Sequence, residues 1–430
     1  MFILSPLRSR SIRLLWGGQV LSAIGDEIYK VALVWLAIDL SGKDAGFLVA
    51  VEAGAILFLG ILGGTWAERF DHRKVMIAAD IIRAVALVSL PLFAWFMPLS
   101  MPMLICVAIV VSGLMAFFDP ALQETLPEII DDEETLHATN GLMEATRRIA
   151  RVIGPGVAGL MNAVVPLIQF FSINAASFLL SALSISLLNR HAPRKTAFHQ
   201  SDRLSTWQGL KHSFGLALNR PILRYMVLGC VLTWSVWSLC FSLGLALLVN
   251  EQTPGNITRY GFLVCAYGVG NLASNLFWGS RRIRRPQRTT FVGTGIIGLG
   301  FILLALAPTY PLQMLAAAFC AIGGPMEDLS FLTVLQAHYR GNDIARIFRL
   351  RLMTAFGGIF VIFLLSPLLF RLLPTVWVIG MAGSVLLGFG IWGLFAFRND
   401  LEHHSSRQHD AGKNSDLVAE LGNTIREPLI

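Results

Sequence analysis

The stretch GGTWAERFDHRKVMIAAD, from Gly63 to Asp80, decides the fold because it places dense charge between two long apolar segments. Six charged or titratable side chains occupy the seven positions from 68 to 74. FLVAVEAGAILFLGILGGTW precedes them and VMIAADIIRAVALVSLPLFAWF follows them. Each apolar segment has about the 20 residues that a helix needs to cross a bilayer. The pattern predicts two transmembrane helices joined by a short charged loop.

The rest of the chain repeats this alternation. Of its 430 residues, 55% are hydrophobic and 14% are charged, and the mean hydropathy is +0.64. Soluble proteins carry about 25% charged residues, and backbone at membrane depth satisfies its hydrogen bonds within helices. The sequence therefore predicts an all-α polytopic membrane protein with twelve spans. We place these spans at residues 14–38, 46–66, 75–97, 102–122, 147–165, 167–188, 222–249, 260–279, 290–307, 311–335, 350–371 and 375–397.

Basic residues collect on one side of the predicted membrane. That side receives the charged loop, the stretch 190–220 and the run RRIRRPQR at 281–288, whereas the other side holds Lys43, Arg259 and Arg371. By the positive-inside rule, both termini are cytoplasmic, which requires an even number of spans. We expect a bacterial inner-membrane location. The net charge of +7 is then explained by basic loops rather than by a surface that binds nucleic acid. The five cysteines lie within apolar segments and lack the spacing of metal ligands, so they predict neither disulfides nor a metal site.

The spans divide into two sets of six. The predicted units are an N-terminal six-helix bundle at 1–188, a cytoplasmic linker at 189–221, a C-terminal six-helix bundle at 222–398 and a disordered tail at 399–430. The polar, basic linker separates the halves, and the tail lacks apolar periodicity. An arrangement of six plus six helices is a transporter architecture with its substrate site near the midplane, between the halves.

GGTWAERFDHRKVMI resembles the loop signature of the major facilitator superfamily, which reads Gly-x-x-x-Asp-Arg-x-x-x-Arg-Arg/Lys between spans 2 and 3. The match falls on Gly64, Glu68, Arg69, Arg73 and Lys74. WGGQVLSAIGDEIYKVAL, AADIIRA, FFDPALQETLPEII and RVIGPGVAG extend the similarity to the efflux branch that includes macrolide exporters and the enterobactin exporter. The resemblance is strongest over residues 16–190. It implies the twelve-helix fold in two pseudo-symmetric halves.

The charged loop is interpreted as a cytoplasmic gate, because bistable ion pairs can hold one face shut and part in another state. Arg73 is expected to reach Asp119 at the end of span 4, and Asp80 and Arg83, three residues apart, are expected to pair locally near the gate. Arg147, Arg148 and Arg151 are assigned to the same cytoplasmic network or to lipid headgroups. The alternative is that the loop only anchors the chain and sets topology.

A Gly-Pro motif in span 5 resembles that of antiporters and exporters in this superfamily. It comprises Gly154, Pro155, Gly156 and Gly159, which give the span a smooth, kinked face. Ordinary packing of small residues in membranes is the alternative interpretation.

Ionisable residues inside spans are functional candidates because burying charge in a membrane is costly. The proton-coupling and cavity candidates are Asp26, Glu27, Lys30, Glu52, Glu327 and Asp328. Spacing of four predicts an Asp26–Lys30 pair, which leaves Glu27 as the preferred titrating group, since burial without a full partner favours the protonated form of a carboxyl. Trp234 and Trp237 share a helical face and are candidates for stacking on substrate, or else for anchoring at the lipid interface.

The sequence therefore points to a proton-coupled exporter of an amphiphilic small molecule, such as a drug or siderophore, working by alternating access. A lysophospholipid or lipid-like flippase and a gradient-independent facilitator remain alternatives, and import stays open. No Gly-rich loop with Lys-Ser/Thr is present, so the proton gradient rather than ATP or a cofactor is the expected energy source. Expected partners are the substrate, protons and membrane lipids, with the chain a monomer that binds no nucleic acid. Histidines that lie mostly in loops and tail argue against an enzyme.

Overall fold

The structure, a computed structural model, describes residues 2–67, 70–130, 132–188, 214–215, 221–281, 283–339 and 342–397. Within these residues there are long helices and no strands. When each interrupted helix is counted once, the described long helices are α1 Arg10–Ser41, α2 Gly46–Ala67, α3 His72–Phe96, α4 Met101–Ile129, α5 Glu133–Met161, α6 Gln169–Ser186, α7 Pro221–Gln252, α8 Ile257–Gly279, α9 Pro286–Leu306, α10 Tyr310–His338, α11 Asn342–Leu372 and α12 Thr375–Ala396.

Eight helices of the described chain are long and apolar enough to cross a membrane: α3, α4, α6, α7, α9, α10, α11 and α12. The multi-pass, all-α class is thereby confirmed. Twelve spans stay a prediction, since α1, α2, α5 and α8 lie outside that set. The predicted linker and tail fall almost wholly outside the described residues.

The helix that contains predicted span 5 begins fourteen residues before residue 147, at Glu133, whereas the span itself stays a prediction. Asp132 caps this helix: its carboxylate accepts the backbone N–H of Thr135 at 2.7 Å. A side chain that satisfies a free N–H of the first turn favours helix initiation. The added turns carry three acids and a histidine, so a search for apolar runs passed over them.

Two helices are interrupted near the middle of the fold. In α7, residues Leu239–Gly244 form a π-helical segment, and in α10 the helix breaks between Cys320 and Gly323. A π-helical segment like that of α7 places neighbouring side chains differently from a regular helix and occurs often at functional sites. The residues beside the α7 segment line the cavity described below.

Helix packing follows a pattern that recurs six helices later along the chain. In the first half, the packed pairs are α1–α5, α1–α6, α2–α4, α3–α4 and α3–α6, and in the second they are α7–α11, α7–α12, α8–α10, α9–α10 and α9–α12. The halves meet through α5 against α8 and α2 against α11. We call the side that carries the turns α1–α2, α3–α4, α5–α6, α7–α8, α9–α10 and α11–α12 the far face, because it lies opposite the charged loop.

Glycines allow α5 and α8 to touch along their backbones. A Cβ at Gly261 would strike the carbonyl of Pro155, and one at Gly268 would lie 2.8 Å from the Cα of Val152. At the end of α5, Thr258 Oγ1 donates to the carbonyl of Gly159 at 2.7 Å. The predicted smooth face of span 5 is therefore a real interface between the halves, and α5 continues as a helix through Pro155.

Candidate transport cavity

A cavity of about 620 Å³ lies between the halves and is lined by residues of both. The first half contributes four predicted site residues on α1 and α2, which are Asp26, Glu27, Lys30 and Glu52. The second half contributes Trp234 and Trp237 of α7 and Glu327 and Asp328 of α10. Asp26 and Asp328, which are 302 positions apart in the chain, thus face one space.

The predicted Asp26–Lys30 pair is wrong. Lys30 Nζ instead contacts Glu27 Oε1 at 2.7 Å, three residues away. Asp26 Oδ1 accepts a hydrogen bond from Asn174 Nδ2 of α6 at 3.2 Å. On one helix, Lys30 can reach an acid three or four residues before it. Asn174 bonds to Asp26, and Lys30 pairs with Glu27. Asp26 is therefore the carboxyl of α1 that forms no ion pair, whereas the sequence predicted that Glu27 would be the unpaired one.

Glu52 is held by a neutral donor. Ser112 Oγ of α4 donates to its Oε1 at 3.2 Å, and Tyr29 lies on the same cavity wall. The Tyr29 hydroxyl is buried and has no hydrogen-bond partner in the described structure. The wall formed by α1 and α2 thus carries the carboxyl of Glu52 and the phenol of Tyr29, and neither group forms an ion pair in the described structure.

Glu327 and Asp328 have different environments although they are neighbours in sequence. Glu327 is 6% exposed and accepts from two hydroxyls, Thr233 of α7 at 3.2 Å and Thr294 of α9. Asp328 pairs with Arg351 of α11 at 2.5 Å. Both line the cavity. Sequence reasoning missed Arg351, although an arginine within an apolar helix is a signal that could have found it.

Aromatic side chains form the wall opposite the carboxyls of α1 and α2. Phe241 stacks on Trp237 at 5.5 Å and lies 4.2 Å from the ring of Tyr267. Trp234 meets Phe356 edge to face at 6.4 Å. All five residues line the cavity. This apolar wall can cover a flat or amphiphilic molecule, while the wall of α1 and α2 offers charged and polar groups.

The charged loop makes different contacts from those predicted. Arg73 does not reach Asp119, because its guanidinium donates to the carbonyls of Ile185 and Leu188 at the end of α6, at 2.9 and 2.8 Å. Asp119 instead pairs with Arg147 of α5 at 3.2 Å. These contacts tie α3 to α6 and α4 to α5, all within the first half.

The remaining loop residues add local contacts. His72 lies 2.6 Å from Glu124 and 3.1 Å from Glu128 of α4, and the backbone N–H of Lys74 is capped by Asp71. Glu68 and Arg69 lie outside the described residues, and Gly64 is described only by its place in α2. The gate therefore stays a prediction.

Asp80 and Arg83 form the predicted local pair at 2.5 Å, and both are buried. Gly154 lies against the Cβ of Glu27, so a larger residue there would separate α5 from α1. Arg148 and Arg151, which the sequence assigned to a cytoplasmic network or to headgroups, line the cavity. Asn174, Tyr29 and Arg351 complete the site and were not anticipated from the sequence.

Comparison with known proteins gives one consistent result. The transmembrane secretion effector family model matches residues 2–338. The chain is 26% identical over 343 residues to the multidrug efflux pump Tap of Mycobacterium tuberculosis, covering 76% of this chain and 80% of the relative. It is 26% identical over 176 residues to macrolide efflux protein A of Streptococcus pyogenes, covering 40% of this chain and 43% of the relative.

Solved structures share the fold at low identity. A nucleoside transporter, NupG, aligns with a TM-score of 0.71 at 15% identity, over 90% of this chain and 99% of the other. A POT family transporter aligns with a TM-score of 0.70 at 14% identity, over 91% and 96% of the two chains. Together with the helical architecture, the family match over most of the chain identifies the protein as a member of the transmembrane secretion effector family of major facilitator superfamily transporters.

Proposed function

We propose that the protein is a proton-coupled exporter of amphiphilic small molecules that works by alternating access between the two six-helix halves. One observation carries this proposal: three carboxyls that line the cavity, the half-buried Asp26 and Glu52 and the buried Glu327, are held by neutral amide or hydroxyl donors. A buried carboxyl without a matching cation is costly in its charged form. Binding and releasing a proton is the simplest way for such a group to change state.

The opposite wall supports an amphiphilic substrate. Aromatic rings of α7, α8 and α11 can cover apolar surface, and the carboxyls and Lys30 can meet polar groups. The names of the relatives support drug efflux, since they describe a multidrug pump and a macrolide efflux protein. The substrate, protons and membrane lipids are the proposed partners, and no cofactor beyond the proton gradient is required.

The proposed orientation places both termini in the cytoplasm of a bacterial inner membrane. The charged loop and the arginines at 281–288 then face the cytoplasm, as the positive-inside rule requires. The membrane potential would supply about 2.3 kcal/mol per charge for each 100 mV. Export by proton antiport would draw on this energy.

Purified full-length protein in proteoliposomes tests the proposal. A pH-sensitive dye inside reports proton flux when a pH gradient is imposed and a macrolide, a siderophore or a lysophospholipid is added. Proton flux that depends on one of these substrates supports antiport and identifies the class. Substrate movement that ignores the gradient would overturn proton coupling and favour a flippase or facilitator.

A further inference from the structure

His72, the first residue of α3, is held between two glutamates of α4 on the face that carries the charged loop. Its Nε2 lies 2.6 Å from Glu124 Oε2, and its Nδ1 lies 3.1 Å from Glu128 Oε1. The side chain of His72 is 17% exposed, and those of the glutamates are 37% and 36% exposed. None of the three lines the transport cavity, and the proposed transport cycle gives them no role.

The two ring nitrogens of His72 face two different carboxylate oxygens. An ionised carboxylate only accepts hydrogen bonds, and a neutral imidazole has one N–H and one lone pair. A neutral ring would therefore satisfy one glutamate, while its lone pair would repel the other. Contacts at both nitrogens require one further proton, carried either by the ring or by one of the glutamates. The three side chains together thus form a site for a proton.

The same geometry does not suit a metal ion. A metal is bound when nitrogen and oxygen ligands converge on one point, about 2 Å from each. Here the glutamates approach different nitrogens of the ring, and the distance of 2.6 Å from Nε2 to Glu124 is that of a direct hydrogen bond. The described residues accordingly contain no group of three side chains that could hold a metal ion.

The places of these charges in their helices indicate that they serve each other. A positive ring at the first position of α3 is disfavoured by the helix dipole, and so is a carboxylate in the last turn of α4. Glu124 and Glu128 are also four residues apart on one helix, where like charges repel. The contact between the helices offsets all three costs, provided that the proton is bound.

The other bases near this site have different partners. Arg73 donates to two backbone carbonyls at the end of α6, and Arg147 pairs with Asp119 of α4. Lys74 is exposed and forms no ion pair among the described residues. His72 is therefore the base that holds the last turns of α4.

Few other titratable groups face the ring of His72. Besides α4, the helix packed most closely against α3 is α6, which contains no titratable residue. On its own chain segment, Asp71 accepts the backbone N–H groups of Arg73 and Lys74 as the cap of α3. The charge of His72 is thus balanced chiefly by the two glutamates of α4.

The ring contacts lie at the outer end of an apolar contact between α3 and α4. Met76 and Ala79 of α3 belong to one buried cluster with Phe118 and Leu122 of α4. Beside this cluster, the hydroxyl of Thr125 contacts Met76 Sδ at 3.6 Å. Loss of the outer contacts would release the ends of the two helices, while the apolar cluster keeps the rest of the interface together.

We propose that His72, Glu124 and Glu128 form a proton-binding clamp, separate from the cavity carboxyls, that fixes the start of α3 to the end of α4. A bound proton closes the clamp. As pH rises on this face the proton leaves, the neutral ring bonds to one glutamate only, and the two helix ends loosen. The clamp goes beyond the proposed function and does not depend on it. In the proposed orientation it responds to cytoplasmic pH.

Hydrogen exchange of full-length protein in lipid nanodiscs tests the clamp from about pH 6 to about pH 9, which includes the range where histidine changes charge. Protection factors correct for the intrinsic pH dependence of exchange. Those of residues 72–76 and 124–129 should fall by about two- to fivefold as pH rises, the effect of a half-exposed ion pair. Protection that stays constant over this range would overturn the proposal.

Two substitutions of His72 separate the proton from mere packing. His72→Gln is neutral at every pH, so protection should be low and constant. His72→Arg keeps its charge at every pH and has several N–H donors, so protection should be high and constant. A fall with pH that persists in His72→Arg would assign the response to other groups and contradict the clamp. Glu124→Gln combined with Glu128→Gln should likewise abolish the response, and its persistence there would also overturn the clamp.

His338→Gln is the matched control. His338 ends α10, the corresponding helix end of the second half, and its Nδ1 contacts only the carbonyl of Val334 in its own helix, at 2.9 Å. The pH response of residues 72–76 and 124–129 should equal that of the wild type in this variant. Loss of the response in His338→Gln would assign it to a general effect of histidine removal and overturn the clamp. Because neither substrate nor a pH gradient is present, these outcomes are independent of whether transport is coupled to protons.

Discussion

Arg371 at the end of α11 and Asp44 in the turn between α1 and α2 form an ion pair across the two halves, with Nη2 and Oδ2 2.5 Å apart. The residues are separated by 327 positions in the chain. Next to the pair, Gly46 packs against Ser366 and Leu243 of the second half. On the far face, the two halves are thus held together by an ion pair as well as by close packing.

Breaking this pair should favour separation of the halves at the far face. The side chains are 65% and 32% exposed, so Arg371→Gln should change the equilibrium by about 0.2–1 kcal/mol, at most about fivefold. Spin labels on Val164→Cys and Leu306→Cys, with Cys106 and Cys265 replaced by alanine, would report longer distances. The exchanged pair Asp44→Arg with Arg371→Asp should restore the original distribution, and a failure to do so would assign the effect to packing.

Asp26→Asn should abolish transport driven by a pH gradient while substrate binding is retained. The reason is that Asp26 has an amide rather than a cation as its partner. A loss of at least tenfold in gradient-driven flux, with binding unchanged by equilibrium titration, is expected. Glu27→Gln frees Lys30 in the cavity wall and should alter binding as well. If only Glu27→Gln uncoupled transport from the gradient, the assignment of the proton to Asp26 would be incorrect.

Thr294→Val should destabilise the second half. Thr294 is buried and donates to Glu327, and a buried acceptor that loses a donor costs about 1–3 kcal/mol. A fall in the thermal unfolding midpoint in detergent would measure this. Thr289→Val on the same helix is the control, because that exposed hydroxyl bonds only to its own helix, at Arg285. Equal midpoints for the two variants would contradict the hydroxyl's role.

Gly261→Ala should weaken the contact between α5 and α8. The new methyl group would meet the carbonyl of Pro155, and overpacking of this kind costs about 1–3 kcal/mol. Gly141→Ala, which meets nothing within 4 Å, should raise stability by about 0.5–1 kcal/mol through helix propensity. Thermal unfolding and transport of the pair of variants would be compared, and a neutral Gly261→Ala would show that the interface can widen.

The first turn of α5 should become less stable at low pH. The backbone and side-chain hydrogen bonds from Thr135 lower the pKa of Asp132, which lies outside the spans. Because the folded pKa is depressed, this capping contribution is present above the unfolded pKa and is lost as pH falls through the folded pKa. The hydrogen-exchange protection factors of residues 133–136, which correct for the intrinsic pH dependence of exchange, should fall on acidification. Asp132→Ala should show low protection factors at all pH values, and the same pH response in that variant would contradict the cap.

The pairs that could be predicted are those within one helix turn. Asp80 and Arg83 met as expected, since a spacing of three places both side chains on one face. The same rule failed for Lys30, which had acids at spacings of three and four within reach. Asn174, 148 positions away, bonded to one of them and so decided the pairing. Hydropathy likewise found the helices but missed the start of α5, which an N-cap rather than apolar content determined.

By itself, the sequence determined the all-α membrane class, the places of the helices, the charged loop and the family. Composition and local spacing fix these properties, because each helix satisfies its own backbone hydrogen bonds wherever it lies. Only the tertiary structure decided that Arg73 bonds to α6, that Arg351 pairs with Asp328, and which carboxyls of the cavity lack a cation. Those outcomes depend on donors brought from distant helices, and the free energy of a buried charge depends on its nearest partners.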